Sequence, residues 1–411
     1  MIPIPEALKD AYNKIIASLI KPIVKWILKL SYVKRLLAVI TIMIFVASIY
    51  YYKSIYGVVQ YSALYYRILT TNGSAIPLSE KNQHLLKGLI SNTTNTLLQS
   101  EFPKYKMEPG IYNAWTMADI VVSTECQDST HCVQFQNYVY SSTSFSPRCQ
   151  CWFQFQNSGF ANYVATSWVM IGLDNSKKRV KDSLINYIVK TQNPDGWWSV
   201  YPSASLKDAS TLSTAIVLLA LKKCKSEIKD KNLRISVDES MNRGLKWLEG
   251  TFENNKKVIY DFPNAEDKNS SSVAIFGIVL HAIVSLESSA NEVDSVKSAW
   301  LDNWDKNMKL VSINEGEKFD IKSTYKSGHA VDIGNNNALQ DDINNYALPW
   351  FIIASIDSYD GASLVRKAKI LSLCNKIIDQ GDTLLNDAAG QPWLISEFLV
   401  GLRRMNRETV F

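Results

Sequence analysis

The stretch Gln192-Asn193-Pro194-Asp195-Gly196-Trp197-Trp198 lies between two segments with helical character. A helical run ends before it at Lys190, and an apolar run follows it over residues 209–221. Its spacing is Gln-x-x-x-Gly-x-Trp, with Gln192 and Trp198 at the two ends. This spacing predicts a turn that joins two helices, and it indicates an architecture built from helical hairpins.

The spacing resembles the QW-type repeat of the terpenoid-cyclase and prenyltransferase superfamily. The resemblance implies an α/α toroid, in which the Gln and the Trp tie one helical hairpin to its neighbour. In the cyclases this repeat stiffens the outside of the barrel and a separate acidic motif carries the reaction, so we expect structural roles for Asp195 and Trp198. Residues 243–248, Arg-Gly-Leu-Lys-Trp-Leu, resemble the opening half of the same repeat. Fold alone does not establish function.

A pattern of helix, polar loop and helix recurs along residues 80–411, as in arrays of hairpins. In each pair the second helix is the more apolar, so we expect the second helices to form an inner barrel and the first helices an outer ring. The sequence therefore predicts an all-α fold, an (α/α)6 toroid. The predicted pairs are 84–99 with 112–123, 134–140 with 162–171, 179–190 with 209–222, 237–249 with 271–286, 292–308 with 342–356, and 363–378 with 392–404.

An apolar run precedes this domain. Residues 36–52 read LLAVITIMIFVASIYYY and carry no charge before Lys53, which predicts a transmembrane anchor over residues 36–53. Basic residues crowd the N-terminal flank, so the N-terminus is expected in the cytoplasm and the C-terminal domain in the periplasm or outside the cell. No cleavage site follows the apolar run, so we expect the anchor to be retained as a signal-anchor. Residues 54–79 would connect it to the domain.

The formal net charge of the 411 residues is +5, and much of it comes from the first 35 residues. Residues 1–35 combine an apolar face with a lysine face and resemble a cytoplasmic amphipathic helix at the membrane surface. The alternative is an ordinary helix that packs on a partner protein, since Pro22 interrupts the run.

Four cysteines lie close together, and two others stand alone in helical runs. In an oxidising compartment the four would form one or two disulfides, with three connectivities open for two bonds. The rival hypothesis is a metal site that includes His131, but the C-x5-C and C-x-C spacings fit no common zinc pattern. Cys224 and Cys374 are expected to be buried thiols. The clustered residues are Cys126, Cys132, Cys149 and Cys151.

In such a toroid the loops that enter the inner helices surround one mouth of the central cavity. Six helix N-termini point there with their positive dipole ends, which suits a polar or anionic ligand. Polar and aromatic residues at this rim are the site candidates. The catalytic candidates are Asp208, Asp341, Asp342 and Glu397, and the ligand-binding candidates are Tyr112, Trp115, Tyr163, Tyr346 and Trp393.

The chain departs from the motifs that carry chemistry in the superfamily. A class II cyclase needs Asp-x-Asp-Asp, whereas residues 340–342 read Gln-Asp-Asp, and the zinc set of a protein prenyltransferase is absent. A second interpretation is sugar chemistry, in which two carboxylates about 6.5 to 9.5 Å apart serve an inverting hydrolase. Carboxylates from different hairpins could converge in this way. The structural alternative is that Asp208 and Asp342 each accept bonds from the first amides of a helix.

Two function classes remain open on this sequence. The first is a membrane protein whose toroid binds or processes a cell-envelope glycan or a lipid-linked ligand, and the second is a non-catalytic effector or scaffold that binds a protein partner. His281 is expected to be a satisfied core residue, and His329 is a weak acid-base candidate. No cofactor, metal or nucleic-acid partner is expected, because the motifs for them are absent.

Overall fold

A computed structural model describes most of the chain beyond residue 75. The chain divides into two compact units, residues 1–67 and residues 68–411. The predicted segments 1–35 and 36–53 lie outside the described residues. Among the helices that are described, none is both long and apolar enough to cross a membrane. The described residues are 62, 64–70, 76–101, 114–126, 129–141, 145–147, 151–152, 162–201, 205–261, 263–264, 273–286, 290–310, 325–326, 342–343, 347–387 and 392–406.

The second unit is built from α-helices joined by short turns and two-residue strands. Its α-helices are α1 (Glu80–Thr96), α2 (Ala114–Thr124), α3 (Ser129–Ser141), α4 (Tyr163–Asn175), α5 (Asp182–Lys190), α6 (Thr211–Cys224), α7 (Lys231–Asn254), α8 (Val273–Ser285), α9 (Ala290–Leu310), α10 (Ala347–Asp357), α11 (Leu364–Asp387) and α12 (Pro392–Met405). A π-helical turn spans Leu97–Glu101, and 3-10 turns span Leu206–Asp208 and Lys225–Glu227.

Three antiparallel strand pairs interrupt the helices. Each strand has two residues, so these pairs are short connections between helices and do not form a sheet layer. The pairs are β1 (Phe145–Ser146) with β2 (Cys151–Trp152), β3 (Trp198–Ser199) with β4 (Ala209–Ser210), and β5 (Tyr325–Lys326) with β6 (Asp342–Ile343). The fold is therefore all-α, as the sequence predicts.

The even-numbered helices are the core of the unit. Every residue from Thr211 to Leu221 in α6 and from Val273 to Ile283 in α8 is buried. The odd-numbered helices bury one face: in α7 the positions Leu233, Val237 and Ser240 are buried and the residues between them are not. A helix that is apolar on all sides needs neighbours on all sides. The second helix of each predicted pair is thus the more buried one.

The even-numbered helices contact one another in cyclic order. α2 packs on α4, α4 on α6, α6 on α8, α8 on α10, α10 on α12, and α12 on α2. The odd-numbered helices pack against them: α3 on α2, α7 on α6, and α9 on both α8 and α10. Helices that are neighbours in this cycle come from consecutive hairpins, and the last hairpin meets the first.

The Gln192 side chain joins the third hairpin to the fourth. Its Nε2 donates to the carbonyl oxygens of Gly196 and Ser240 at 2.8 and 2.9 Å. Its Oε1 accepts from Ser240 Oγ at 2.8 Å and from Arg243 Nη2 at 2.7 Å. Gly196 has φ +106°, and a Cβ there would lie 2.4 Å from the carbonyl oxygen of Arg243. The stretch is therefore a structural joint, and Asp195 within it is exposed.

Trp198 fastens α5 to α6. Its indole Nε1 donates to the Ile188 carbonyl at 3.0 Å, and its backbone N–H donates to Thr214 Oγ1 at 3.0 Å. The preceding hairpin repeats this pattern without the Gln: Trp152 Nε1 donates to the Val139 carbonyl at 2.7 Å. Its backbone N–H donates to Thr166 Oγ1 at 3.0 Å. These two Trp–Thr clasps form an internal repeat that the sequence pattern alone did not reveal.

The predicted start of the fifth inner helix at Asp342 is wrong. Asp342 lies in β6, whose partner is β5, and α10 begins at Ala347. Asp208 does not cap α6 either, because Ser210 is the N-cap and accepts from the N–H of Ser213. An acidic residue before an apolar run suggested a cap in both cases, but the chain makes a short strand at each point before the helix begins.

The cysteine predictions fall into three parts. Cys126 and Cys132 form a disulfide that closes the loop between α2 and α3. Cys151 is also disulfide-bonded, and its partner lies outside the described residues. Cys224 and Cys374 are buried free thiols, as predicted. In the described part of the chain, no group of three or more His, Cys, Asp or Glu residues could hold a metal ion.

Candidate functional site

Several predicted site residues fall outside the description of the structure. Asp341, Tyr112 and Tyr346 lie outside the described residues, as do Cys149 and His329. Only the backbone of Asp342 is described, in β6.

The other predicted residues lie on different hairpins. Asp208 ends the 3-10 turn before α6 and is half-buried. Tyr163 is the first residue of α4 and is buried, and Trp115 and Trp393 are the second residues of α2 and α12 and are half-buried. Glu397 is buried in the middle of α12. In the cycle of helices, α6 is opposite α12, so the structure does not bring Asp208 and Glu397 to neighbouring helices.

Glu397 instead lies on a helix that packs on the helix of Asp119, a buried carboxyl that the sequence analysis missed. Asp119 lies in the middle of α2, which packs on α12, and the two residues are 3% and 4% exposed. The negative charge of Glu397, when it is ionised, raises the pKa of Asp119. The signal for Asp119 is present in the sequence, because it is the one charged residue in the apolar run Ala-Trp-Thr-Met-Ala-Asp-Ile-Val-Val of α2.

Burial raises the pKa of both carboxyls in this pair. It raises the pKa of Glu397 from 4.5 to about 8, against the opposing effect of a hydrogen bond from Trp350. Burial also raises the pKa of Asp119 well above its ordinary value, and repulsion from Glu397 adds to the rise. A carboxylic acid in a low-dielectric interior holds its proton because the anion has lost its hydration. Glu397 is therefore an acid that retains its proton near neutral pH, and burial shifts the pKa of Asp119 in the same direction.

The two tryptophans near the pair differ in their hydrogen bonding to it. Trp350, which is 1% exposed on α10, donates from Nε1 to Glu397 Oε2 at 3.1 Å. Trp115 lies near Asp119 and lowers its pKa, against the effects of burial and Glu397, but its Nε1 does not reach hydrogen-bonding geometry. Among the described residues, Asp119 Oδ1 and Trp115 Nε1 have no hydrogen-bond partner. A buried oxygen without a hydrogen-bond partner lowers the free energy of unfolding. Asp119 is therefore the less well satisfied carboxyl of the pair.

The carboxyl pair connects to a second ionic cluster through Trp350. The His281 and Trp350 rings lie 6.2 Å apart between centroids, and His281 Nδ1 lies 2.6 Å from Asp357 Oδ2. The prediction that His281 is a satisfied core residue agrees with its burial and this bond. A line of polar side chains thus runs across α8, α10, α12 and α2.

Another ionic contact crosses from α12 to the end of α2. The guanidinium of Arg403, which is fully buried, donates from Nη1 to Glu125 Oε2 at 2.8 Å. Glu125 has φ 52° and precedes the disulfide-bonded Cys126. This contact lies one α-helical turn or more beyond the carboxyl pair along α12 and holds the same two helices together.

Comparison with known proteins gives no family. No protein-family model matches the chain, and no curated protein matches it significantly.

Proposed function

We propose that this chain is a membrane-anchored (α/α)6 toroid that binds or processes a cell-envelope glycan or a lipid-linked ligand, with the Asp119–Glu397 pair as its acid. The toroid resembles that of terpenoid cyclases and prenyltransferases without their catalytic motifs. Support for a toroid comes from the cyclic contacts of the even-numbered helices. Support for a membrane anchor with the toroid outside the cytoplasm comes from the apolar run 36–53, its basic N-terminal flank and the disulfides of the second unit.

The observation that carries the proposal is the burial of two carboxyls, Asp119 and Glu397, on the neighbouring helices α2 and α12. A general acid works best when its pKa lies near the working pH, and Glu397, with a pKa of about 8, meets this condition. Two interacting carboxyls lose their protons in separate steps that belong to the pair. A protonated member of the pair can then donate the proton that a leaving-group oxygen requires, which is the role of the general acid in glycoside hydrolysis.

A matched set of variants tests this function. The full chain would be incubated with isolated cell-wall glycan strands and, separately, with a polyprenyl-diphosphate-linked saccharide, and released reducing ends would be measured. We expect Glu397→Gln and Asp119→Asn each to lower the rate at least about 100-fold, the usual contribution of a positioned acid or base. Glu239→Gln, an exposed carboxyl on α7, is the control and should leave the rate unchanged. Equal rates in all variants would remove the pair from any mechanism.

A second candidate function, a non-catalytic scaffold, is favoured by one observation. The even-numbered helices are buried on all sides, as in α6 and α8, and both carboxyls are almost inaccessible to water. A scaffold would bind a partner on its outer surface and act on the membrane through residues 1–35. Deleting residues 1–30 while keeping the anchor separates the two functions. A hydrolase should keep its rate after this deletion, whereas a scaffold should lose its effect on the membrane.

A further inference from the structure

A second cluster of ionisable side chains lies at the carboxyl ends of α8, α10 and α12. Asp357 Oδ2 lies 2.6 Å from His281 Nδ1. The other oxygen, Oδ1, accepts from Nε and Nη2 of Arg404 at 3.0 and 2.7 Å. On the opposite edge of the imidazole, Nε2 of His281 lies 3.4 Å from Oγ of Ser285. The four side chains form one continuous chain from Arg404 to the Ser285 hydroxyl.

The position of the imidazole proton follows from the state of Asp357. Burial raises the pKa of this carboxyl, but attraction to His281 and their hydrogen bond, together with Arg404, outweigh burial and lower the pKa below its ordinary value. An ionised carboxylate can only accept hydrogen bonds, so Nδ1 of His281 carries the proton. When the ring carries this proton alone, Nε2 is an acceptor, and it lies 3.4 Å from the hydroxyl oxygen of Ser285. This is the order of roles in an Asp-His-Ser triad.

The cluster has a buried side and an accessible side. The side chains of His281 and Asp357 are 3% and 0% exposed. Ser285 is the last residue of α8 and is half-buried, and the exposed Lys222 donates from Nζ to its backbone carbonyl. Ser285 is therefore at the more accessible end of the cluster, and the imidazole is at the buried end.

Lys222 also offsets the partial negative charge at the carboxyl end of α8, beside Ser285. The carboxyl end of a helix carries a partial negative charge, so an oxyanion beside Ser285 is disfavoured by α8 itself. The ammonium of Lys222 lies at the same helix end and supplies the opposite charge. A positive group at the point where negative charge develops is what acyl transfer requires.

We propose that Ser285 and His281, with Asp357 as the positioning residue, form a serine acyl-hydrolase site for carboxylic esters. Ser285 Oγ attacks the ester carbonyl carbon, and its proton passes to His281 Nε2. The bond from the carbonyl carbon to the alcohol oxygen breaks, and the alcohol leaves with that proton. Water then attacks the acyl-Ser285 carbon, gives a proton to His281 and releases the acid, and the proton returns to Ser285. This site is independent of the proposed glycan function, because neither Asp119 nor Glu397 takes part.

A fluorophosphonate probe tests the site directly. Ser285 Oγ would attack the phosphorus and displace fluoride, leaving a covalent adduct that peptide mass spectrometry locates. In the full chain we expect the adduct on Ser285, and we expect none there in Ser285→Ala. Ser141→Ala is the matched control: its hydroxyl also lies at a helix end, but its hydrogen bonds go to the Asn137 and Tyr138 carbonyls. This control should leave labelling of Ser285 unchanged.

Substitutions around the serine divide the roles. His281→Asn keeps an N–H for Asp357 and removes the Nε2 acceptor, so the labelling rate should fall at least about 100-fold. Lys222→Gln should lower the rate by about tenfold, because an exposed donor is worth less than a buried one. Asp357→Asn should lower the maximal labelling rate and leave the half-saturating probe concentration unchanged, which a general loss of structure would not do.

The outcomes separate cleanly. An adduct on Ser285 whose rate depends on His281 supports the triad. Labelling that is absent from Ser285 in the wild-type chain overturns the proposal, and this result requires no variant to fold. Labelling of Ser285 at the same rate in a folded His281→Asn chain, verified by far-UV circular dichroism, overturns it as well.

Discussion

Two buried polar clusters in this molecule differ in how well their hydrogen bonds are satisfied. At Gln192 the amide donates to two carbonyls and accepts from Ser240 and Arg243, so the side chain joins two hairpins with its polar groups paired. At Asp119 and Glu397 two carboxyls are buried with one hydrogen bond from Trp350 among the described residues. The first arrangement stabilises the fold, whereas the second costs free energy. Strongly perturbed ionisable groups without a structural reason are where chemistry is sought.

The largest expected effect is the pH dependence of the carboxyl pair. The pKa of Glu397 rises from 4.5 to about 8 on folding, so the folded chain binds a proton that the unfolded chain has lost. The stability that comes with this proton is fully present below pH 4.5 and is lost as the pH rises through 8. Across this window the wild-type chain should lose about 4 kcal/mol relative to Glu397→Gln, at about 1.4 kcal/mol per pH unit.

Chemical denaturation of the full chain at several pH values measures this difference. The neutral amide of Glu397→Gln cannot ionise, so its curve should be flatter, and the variant should gain on the wild type as the pH rises. Parallel curves for the two chains between pH 5 and 8 would contradict the raised pKa.

The next effect lies at the Gln192 joint. Gly196→Ala would place a methyl group 2.4 Å from the Arg243 carbonyl oxygen at a backbone φ of +106°. Strain and displacement together should lower the free energy of unfolding by about 3 kcal/mol. Gly250→Ala on α7 is the control, because nothing lies within 4 Å of its added Cβ. That variant should gain up to about 1 kcal/mol. An equal change in the free energy of unfolding in both variants would mean that the turn accommodates the methyl group at residue 196 without strain.

The smallest effect compares the two Trp–Thr clasps. Thr214→Val and Thr166→Val each remove one acceptor for a Trp backbone N–H, at Trp198 and Trp152. Each should lower the free energy of unfolding by about 1 to 2 kcal/mol, since a buried donor is left unpaired. If the two are one repeat, the losses should agree within about 0.5 kcal/mol and should add in the double variant. A loss at Thr214 alone would show that the clasp depends on Gln192.

The helices could be predicted from the sequence more completely than the candidate site. The third hairpin was predictable because Gln192, Gly196 and Trp198 each have a backbone role that only those residue types fill. The all-α fold and the burial of the second helices followed from apolar periodicity. Asp342 was misplaced because a short strand and a helix start share the same polar, acidic signal.

Asp119 was missed for a different reason. A single acid in an apolar run shows that a charge is buried, but its partner Glu397 comes from the other end of the domain, and no local pattern links the two. The Trp–Thr clasp at Trp152 was missed because the turn before Trp152 lacks the Gln that made the turn of the third hairpin recognisable. Side chains that meet through the packing of distant helices are beyond what spacing along the chain can predict.

The contact between α2 and α12 sets when the acid pair can exist during synthesis. Arg403 and Glu125, which join the same two helices, are 278 residues apart in the chain. Asp119 leaves the ribosome long before Glu397, so a nascent chain or a fragment cut before α12 contains only half of the pair. The acidity of the site is thus a property of the completed polypeptide. A prematurely terminated product would lack it, however well its first hairpins had folded.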